Sequence, residues 1–313
     1  MRFNPKARLD TSRVGDAGRG RRSGGGGGGA IPIPGGMRAG GGIGGVIIVI
    51  LFLVLTQCLN NGGGGGGAAA DTLNTSRMAD TGRYSGCKTG ADANDSADCA
   101  RVAVENSLVD YWSATLPDQS STKFRPEAGV ETFTDAIDTG CGQASSDVGP
   151  FYCPSDQFIY LDTTFYDAVL EKQLNGPSGA FVEPYVLAHE FGHHIQNLLG
   201  TMSQVKTQQG PTSDSVRLEL QADCYAGMWT KGATTTKDAS GQVLIQDLTD
   251  QDIQQAIAAA TAVGDDRIQE ETGGKVNPEQ WTHGSAAERV AWFKKGLSQG
   301  SLEACDTFAP NAL

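Results

Sequence analysis

Two uninterrupted glycine runs, Gly24–Gly29 and Gly62–Gly67, decide which parts of this chain can build a core. Glycine brings no side chain to bury and loses the most backbone entropy on ordering, so both runs read as linker. The foldable part then begins after about Ala70 and is long enough for one sizeable domain. Between the runs, Val46–Leu55 is unbroken apolar sequence, and no charged residue occurs from Ala39 to Ala70. Residues 43–59 are slightly short for a membrane crossing at helical rise. With linker on both sides and nothing to pack against, they still read as one transmembrane helix. The sequence predicts a disordered, basic, Gly-rich arm over 1–42, the span over 43–59, a linker over 60–75 and a folded domain over 76–313.

Charge supplies an orientation. Before Ala39 stand eight basic residues, Arg2, Lys6, Arg8, Arg13, Arg19, Arg21, Arg22 and Arg38, against only Asp10 and Asp16. The whole chain carries a net charge of −12, so everything beyond the arm is strongly acidic. Such a domain repels polyanions, and nucleic acid is not expected as its partner. The positive flank is expected to stay in the cytoplasm and the acidic domain to lie outside, anchored in the cytoplasmic membrane. Cys58 follows Gln57, too large for a lipoprotein processing site, so the anchor is expected to remain uncleaved. Six further cysteines, Cys87, Cys99, Cys141, Cys153, Cys224 and Cys305, suit a disulfide framework in an exported domain. Many pairings are open to six cysteines. Short local loops favour Cys87–Cys99 and Cys141–Cys153, which leaves Cys224–Cys305. Their spacing matches no usual zinc-knuckle pattern.

Periodicity gives an α+β domain with a small sheet and several helices. Tyr84–Leu116 has apolar residues at helical spacing, Phe124–Phe133 is extended or loop-like, and Gln157–Leu161 is rich in aromatic and branched residues, as strands are. Four helices follow: Pro184 to about Leu199, with Gly200 as its stop; roughly Ser215–Thr230; Thr249 to about Gly264, with Thr249 and Asp252 as a capping pair; and Ser285 to about Leu297, capped with Glu288.

The first of these four carries His189–Glu190–Phe191–Gly192–His193. Histidines at i and i+4 share a helix face, so both imidazoles can reach one metal ion, and Glu190 lies where its carboxylate can reach a water beside that ion. A catalytic zinc takes three protein ligands and keeps a position open. The next helix offers Glu219 as the third ligand and, one turn on, Asp223 as an acceptor for the ring N–H of His189. His194 points about 100° away and is expected to be structural or to lie at the side of the cleft.

The stretches Val186–Gln196 and Leu218–Trp229 resemble the bacterial neutral zinc metallopeptidase family, whose fold belongs with zincins that use a Glu as third ligand. Phe151–Pro154, Ile159–Asp162, Thr282–Ser285 with Glu288–Arg289, and the opening Phe3–Asp10 followed by a Gly-rich arm and one span extend the likeness over almost the whole chain. The resemblance implies a membrane-associated peptidase in which His189, His193 and Glu219 bind Zn²⁺ and Glu190 is the general base. His283 is expected to stabilise the oxyanion, with Arg289 as the second candidate. The expected partners are a peptide or protein substrate and the membrane, with Gln157–Leu161 as an edge strand for docking an extended peptide. Cell-wall peptides are an alternative substrate. The alternative to an enzyme is a membrane-tethered binding or scaffold protein holding a structural zinc.

Overall fold

The computed structural model describes residues 1–19 and 81–313, and its architecture is mixed α and β. The predicted span at 43–59 and linker at 60–75 lie outside the described residues. Among the described residues no helix is long and apolar enough to cross a membrane.

Residues 1–19 are folded, which corrects the expectation of a disordered arm over 1–42. Strand β1 (Arg2–Phe3) pairs antiparallel with β8 (Ile245–Asp247), and β2 (Val14–Arg19) pairs parallel with β3 (Gly129–Thr134). Phe3, Ala7 and Val14 are buried in the main hydrophobic core. Arg13, counted above as one more basic residue of the arm, places its Nε 2.8 Å from Oε1 of Glu105 and 3.8 Å from Oε1 of Glu127. Both carboxylates are fully buried. Composition registers the charge of Arg13 but not the distant buried carboxylate of Glu105 that the charge matches.

The main sheet has the order β2-β3-β7-β6, with β7 (Phe158–Asp162) parallel to β3 and β6 (Phe151–Cys153) antiparallel to β7. The strand predicted at Gln157–Leu161 is β7, displaced by one residue because Gln157 adopts φ 63° in the preceding turn. It was expected at an edge, but it is interior. The segment closed by the Cys141–Cys153 disulfide folds back on it, so β6 forms that edge. A short hairpin, β4 (Ala136–Thr139) with β5 (Gly142–Ser145), borders the same disulfide.

The helical stretch predicted from Tyr84 separates into α1 (Gly90–Asp95) and α2 (Ala97–Gln119). Then come α3 (Val182–Leu199), α4 (Asp214–Gly232), α5 (Asp250–Ala262), α6 (Asp265–Glu271) and α7 (Ala286–Gln299). Local chemistry sets their ends as expected: Gly200, at φ 77°, closes α3, and Thr249 with Asp252 and Ser285 with Glu288 form capping boxes. Helix α6 has no counterpart in the sequence reading. The backbones of α4 and α7 nearly touch, since a Cβ on Gly296 would lie 1.9 Å from the Cys224 carbonyl oxygen. The disulfides among the described residues are Cys87–Cys99, Cys141–Cys153 and Cys224–Cys305, the pairing favoured above. Trp112, Trp229, Phe181 and Phe293 are among the largest side chains fully buried in the core, with Phe181 stacked on Trp229.

Neither oxygen of Glu127 finds a hydrogen bond. Burial, and then the charge of Glu105, push its carboxyl well above the usual range against the pull of Arg13. The folded state therefore keeps a proton that the unfolded chain releases at about pH 4.3, and stability falls as pH rises beyond that point. Replacing Glu127 by Gln removes this loss. Thermal unfolding should show the variant gaining on the wild type as pH is raised from about 5 to about 8; a constant difference across that range would contradict the assignment.

Candidate metal centre

The i, i+4 spacing sets His189 and His193 on one face of α3, their ring centroids 4.8 Å apart. Helix α4 is capped by Ser213, whose side chain accepts the Val216 amide, and it directs Glu219 at the same point. Glu219 Oε2 lies 3.1 Å from His189 Nε2, and Oε1 lies 3.4 Å from His193 Nε2. One ligand atom from each of the three residues falls within 4.8 Å of the others, and all three residues are buried. The sequence reading named these residues, and the fold brings them together.

The hydrogen bonds behind the rings settle what the group can hold. His189 Nδ1 is 2.8 Å from Asp223 Oδ1, and His193 Nδ1 is 2.8 Å from Gln196 Oε1. Both acceptors call for a proton on Nδ1, which leaves each Nε2 with a lone pair facing the Glu219 carboxylate. Three electron-rich atoms converging in a buried space repel one another unless a cation sits among them, so the donor set fits a metal ion. Without one, a proton takes that part. Burial would lower His189, but Asp223 and Glu219 outweigh it and push it up to about 10. His193 is pushed down to about 4, mainly by burial. Burial also opposes charge on Glu219, yet His193 and His189 hold its carboxyl well below the usual range.

Asp223 is the expected partner of His189, and it does more than orient that ring. Its Oδ1 accepts the Tyr185 hydroxyl at 2.5 Å, and Arg289 donates to both oxygens at 2.8 and 3.0 Å. Arg289 also donates to the Val263 carbonyl. Its guanidinium is thus committed behind the ligands, which corrects its nomination as an oxyanion donor. Gln196, which the sequence reading passed over, donates to Leu218 O and Gln221 Oε1, tying the backing of His193 to α4.

Glu190 is buried beside this group. Burial pushes its carboxyl up to about 7, against the charge of His189 and a backbone hydrogen bond from Tyr152 in β6. His283 stands on the turn before α7, and its charge interacts with that of Glu219. Asp265, the first residue of α6, shapes that turn. Its Oδ2 accepts the amides of Thr282, His283 and Gly284 at 2.7, 2.6 and 3.0 Å, while Oδ1 lies 3.3 Å from His283 Nδ1. Burial alone would lower the His283 pKa, but Asp265 raises it. The sequence reading missed Asp265, whose three amide bonds exist only once α6 has packed against the turn.

His194 is structural. Its Nε2 donates to the Arg125 carbonyl at 2.8 Å, so Nδ1 is free to accept from the Tyr152 hydroxyl at 3.1 Å. Burial pushes it down to about 4, which keeps the ring neutral.

Arg289→Ala would leave the Asp223 carboxylate buried without its guanidinium. The expected cost is about 3–5 kcal/mol of unfolding free energy, read by urea denaturation of the full chain. A loss within experimental error would show that His189 and Tyr185 suffice to hold that charge.

A family model described as "putative neutral zinc metallopeptidase" matches residues 4–308. The chain is 50% identical over 227 residues to an uncharacterised protein of Mycobacterium tuberculosis, covering 72% of this chain and 75% of the relative. It is 39% identical over 207 residues to the uncharacterised protein YpfJ of Escherichia coli K12, covering 64% of this chain and 67% of YpfJ. No solved structure matches.

Proposed function

The chain belongs to the neutral zinc metallopeptidase family, and on that premise we propose that it hydrolyses peptide bonds at a zinc ion held by His189, His193 and Glu219. One observation carries the reading. Among the described residues the converging donors number three, not the four that close a structural zinc site, and a buried carboxylate that is no ligand, Glu190, lies beside them. A scaffold protein with a structural zinc would have no use for that carboxylate.

Zinc bound there supplies Lewis acidity, polarising a carbonyl and making a nearby water more acidic. The chain's own residues move the protons. Glu190 accepts one from the water as its oxygen attacks the scissile carbon, then returns it to the departing amine. The elevated pKa of Glu190 suits both transfers. His283, whose pKa Asp265 raises against the effect of burial, donates a hydrogen bond to the oxygen on which negative charge develops. Asp223 and Gln196 fix the two ligand rings so that neither has to turn when substrate arrives. The edge strand β6 lies beside α3, with its Tyr152 amide on Glu190, and gives an extended peptide a strand to pair with. Three disulfides suit work in an oxidising compartment outside the cytoplasm.

Glu190→Gln keeps the shape and removes the base. Hydrolysis of a denatured protein substrate by the full chain should fall by at least about 10²-fold, with zinc content unchanged. Activity at the wild-type level would sink the peptidase reading. His283→Ala should lower kcat by about 10²–10³ with little change in KM, whereas an equal loss in both would point to a substrate-binding role.

A further inference from the structure

We infer that residues 1–19 are a permanent strap of the catalytic unit, and therefore that they lie on the same side of any membrane as residues 81–313.

The strap is held at every step of its course. Asn4 N donates to Leu244 O, Phe3 exchanges two hydrogen bonds with the Asn94 side chain, and Gly90 N donates to Ala7 O. Further on, Leu9 N donates to Lys88 O, and Asp10 exchanges two bonds with the Asn106 side chain. Arg13 then meets the buried Glu105 and Glu127, and Asp16 accepts from the hydroxyls of Thr81 and Thr132 at 2.6 and 2.7 Å. Removing the strap would strip β3 of one of its two parallel partners and leave the buried Glu105 carboxylate without its cation.

Two glycines of the distant unit are shaped to receive it. A Cβ on Gly90 would lie 2.0 Å from the Asn4 carbonyl oxygen, and one on Gly129 would lie 2.7 Å from that of Arg13. Any larger residue at either position would collide with the strap's backbone. The close approach is therefore written into both partners, as expected of a standing contact and not of a passing one.

A single crossing at 43–59, with the N-terminus inside and the acidic domain outside, would part the two partners. The strand pairing and that crossing exclude one another, whatever path residues 20–80 take and whichever copy of the chain donates the strap. The basic residues near the N-terminus, read above as a signal for cytoplasmic retention, include Arg13, the cation that matches the buried Glu105.

Lys6 and Lys275 are exposed, one in the strap and one in the catalytic unit. In full-length chains carrying Cys58→Ser, Lys6→Cys and Lys275→Cys are each tested in spheroplasts of a bacterial host with a membrane-impermeant maleimide, before and after permeabilisation. The expected result is equal labelling of both before permeabilisation. Equal protection of both would still support the shared side and would overturn only the exported location proposed above. Labelling of one with protection of the other would overturn the strap.

Discussion

A single buried carboxylate, Asp223, joins the three helices on which the centre depends. It is reached by His189 and Tyr185 of α3 and by Arg289 of α7, and it stands on α4, one turn from Glu219. Burying a carboxylate costs several kcal/mol unless it is matched. Here two donors from Arg289, one from Tyr185 and one from His189 match it, and burial notwithstanding its pKa falls to about 2. Such an arrangement is poor evidence for extra stability, but it leaves α3, α4 and α7 few ways to pack. The rotamer of His189, the tilt of α4 and the seat of α7 are settled by one set of bonds. The Cys224–Cys305 disulfide, next in sequence to Asp223, ties the C-terminal segment to the same helix.

Around that anchor the two ligand histidines are backed differently. His189 leans on a charged carboxylate and His193 on the neutral amide of Gln196, which is itself held by Leu218 O and Gln221. A carboxylate raises the basicity of the ring it supports more than an amide does, so the two nitrogens offered to a metal are unequal donors. Opposite them stand two acids of opposite disposition. Glu219 is held ionised by His193 and His189, while Glu190, with burial as its main influence, is balanced near neutrality. The proposed ligand and the proposed base are thus told apart by environment, not by residue type.

What the sequence revealed of this arrangement follows from how far apart its parts lie. His189, Glu190 and His193 were legible because one helical turn fixes their relation, and Glu219 with Asp223 because a second helix repeats that spacing. The capping boxes at Thr249 and Ser285 were legible for the same local reason. Asp265 was not, since its role rests on amides seventeen to nineteen residues away. Arg289 was noticed but given the wrong task, because nothing local shows that its guanidinium turns toward Asp223. Residues 1–19 were lost to composition: the glycine run at Gly24–Gly29 and the basic charge masked a segment whose partners lie 65 residues and more beyond it. The edge strand was misplaced by a single hairpin, since a run of apolar residues looks the same in the middle of a sheet as at its border.

The central claim is that two imidazoles and one carboxylate hold a zinc ion with a position left open. X-ray absorption at the zinc edge, with elemental analysis of the full-length protein and of a His193→Ala variant, tests it most directly. The account predicts about one zinc per chain, ligated by two imidazoles and oxygen without sulfur, and lost from the variant. A folded protein without zinc, or zinc held by sulfur or by four protein ligands, would contradict it.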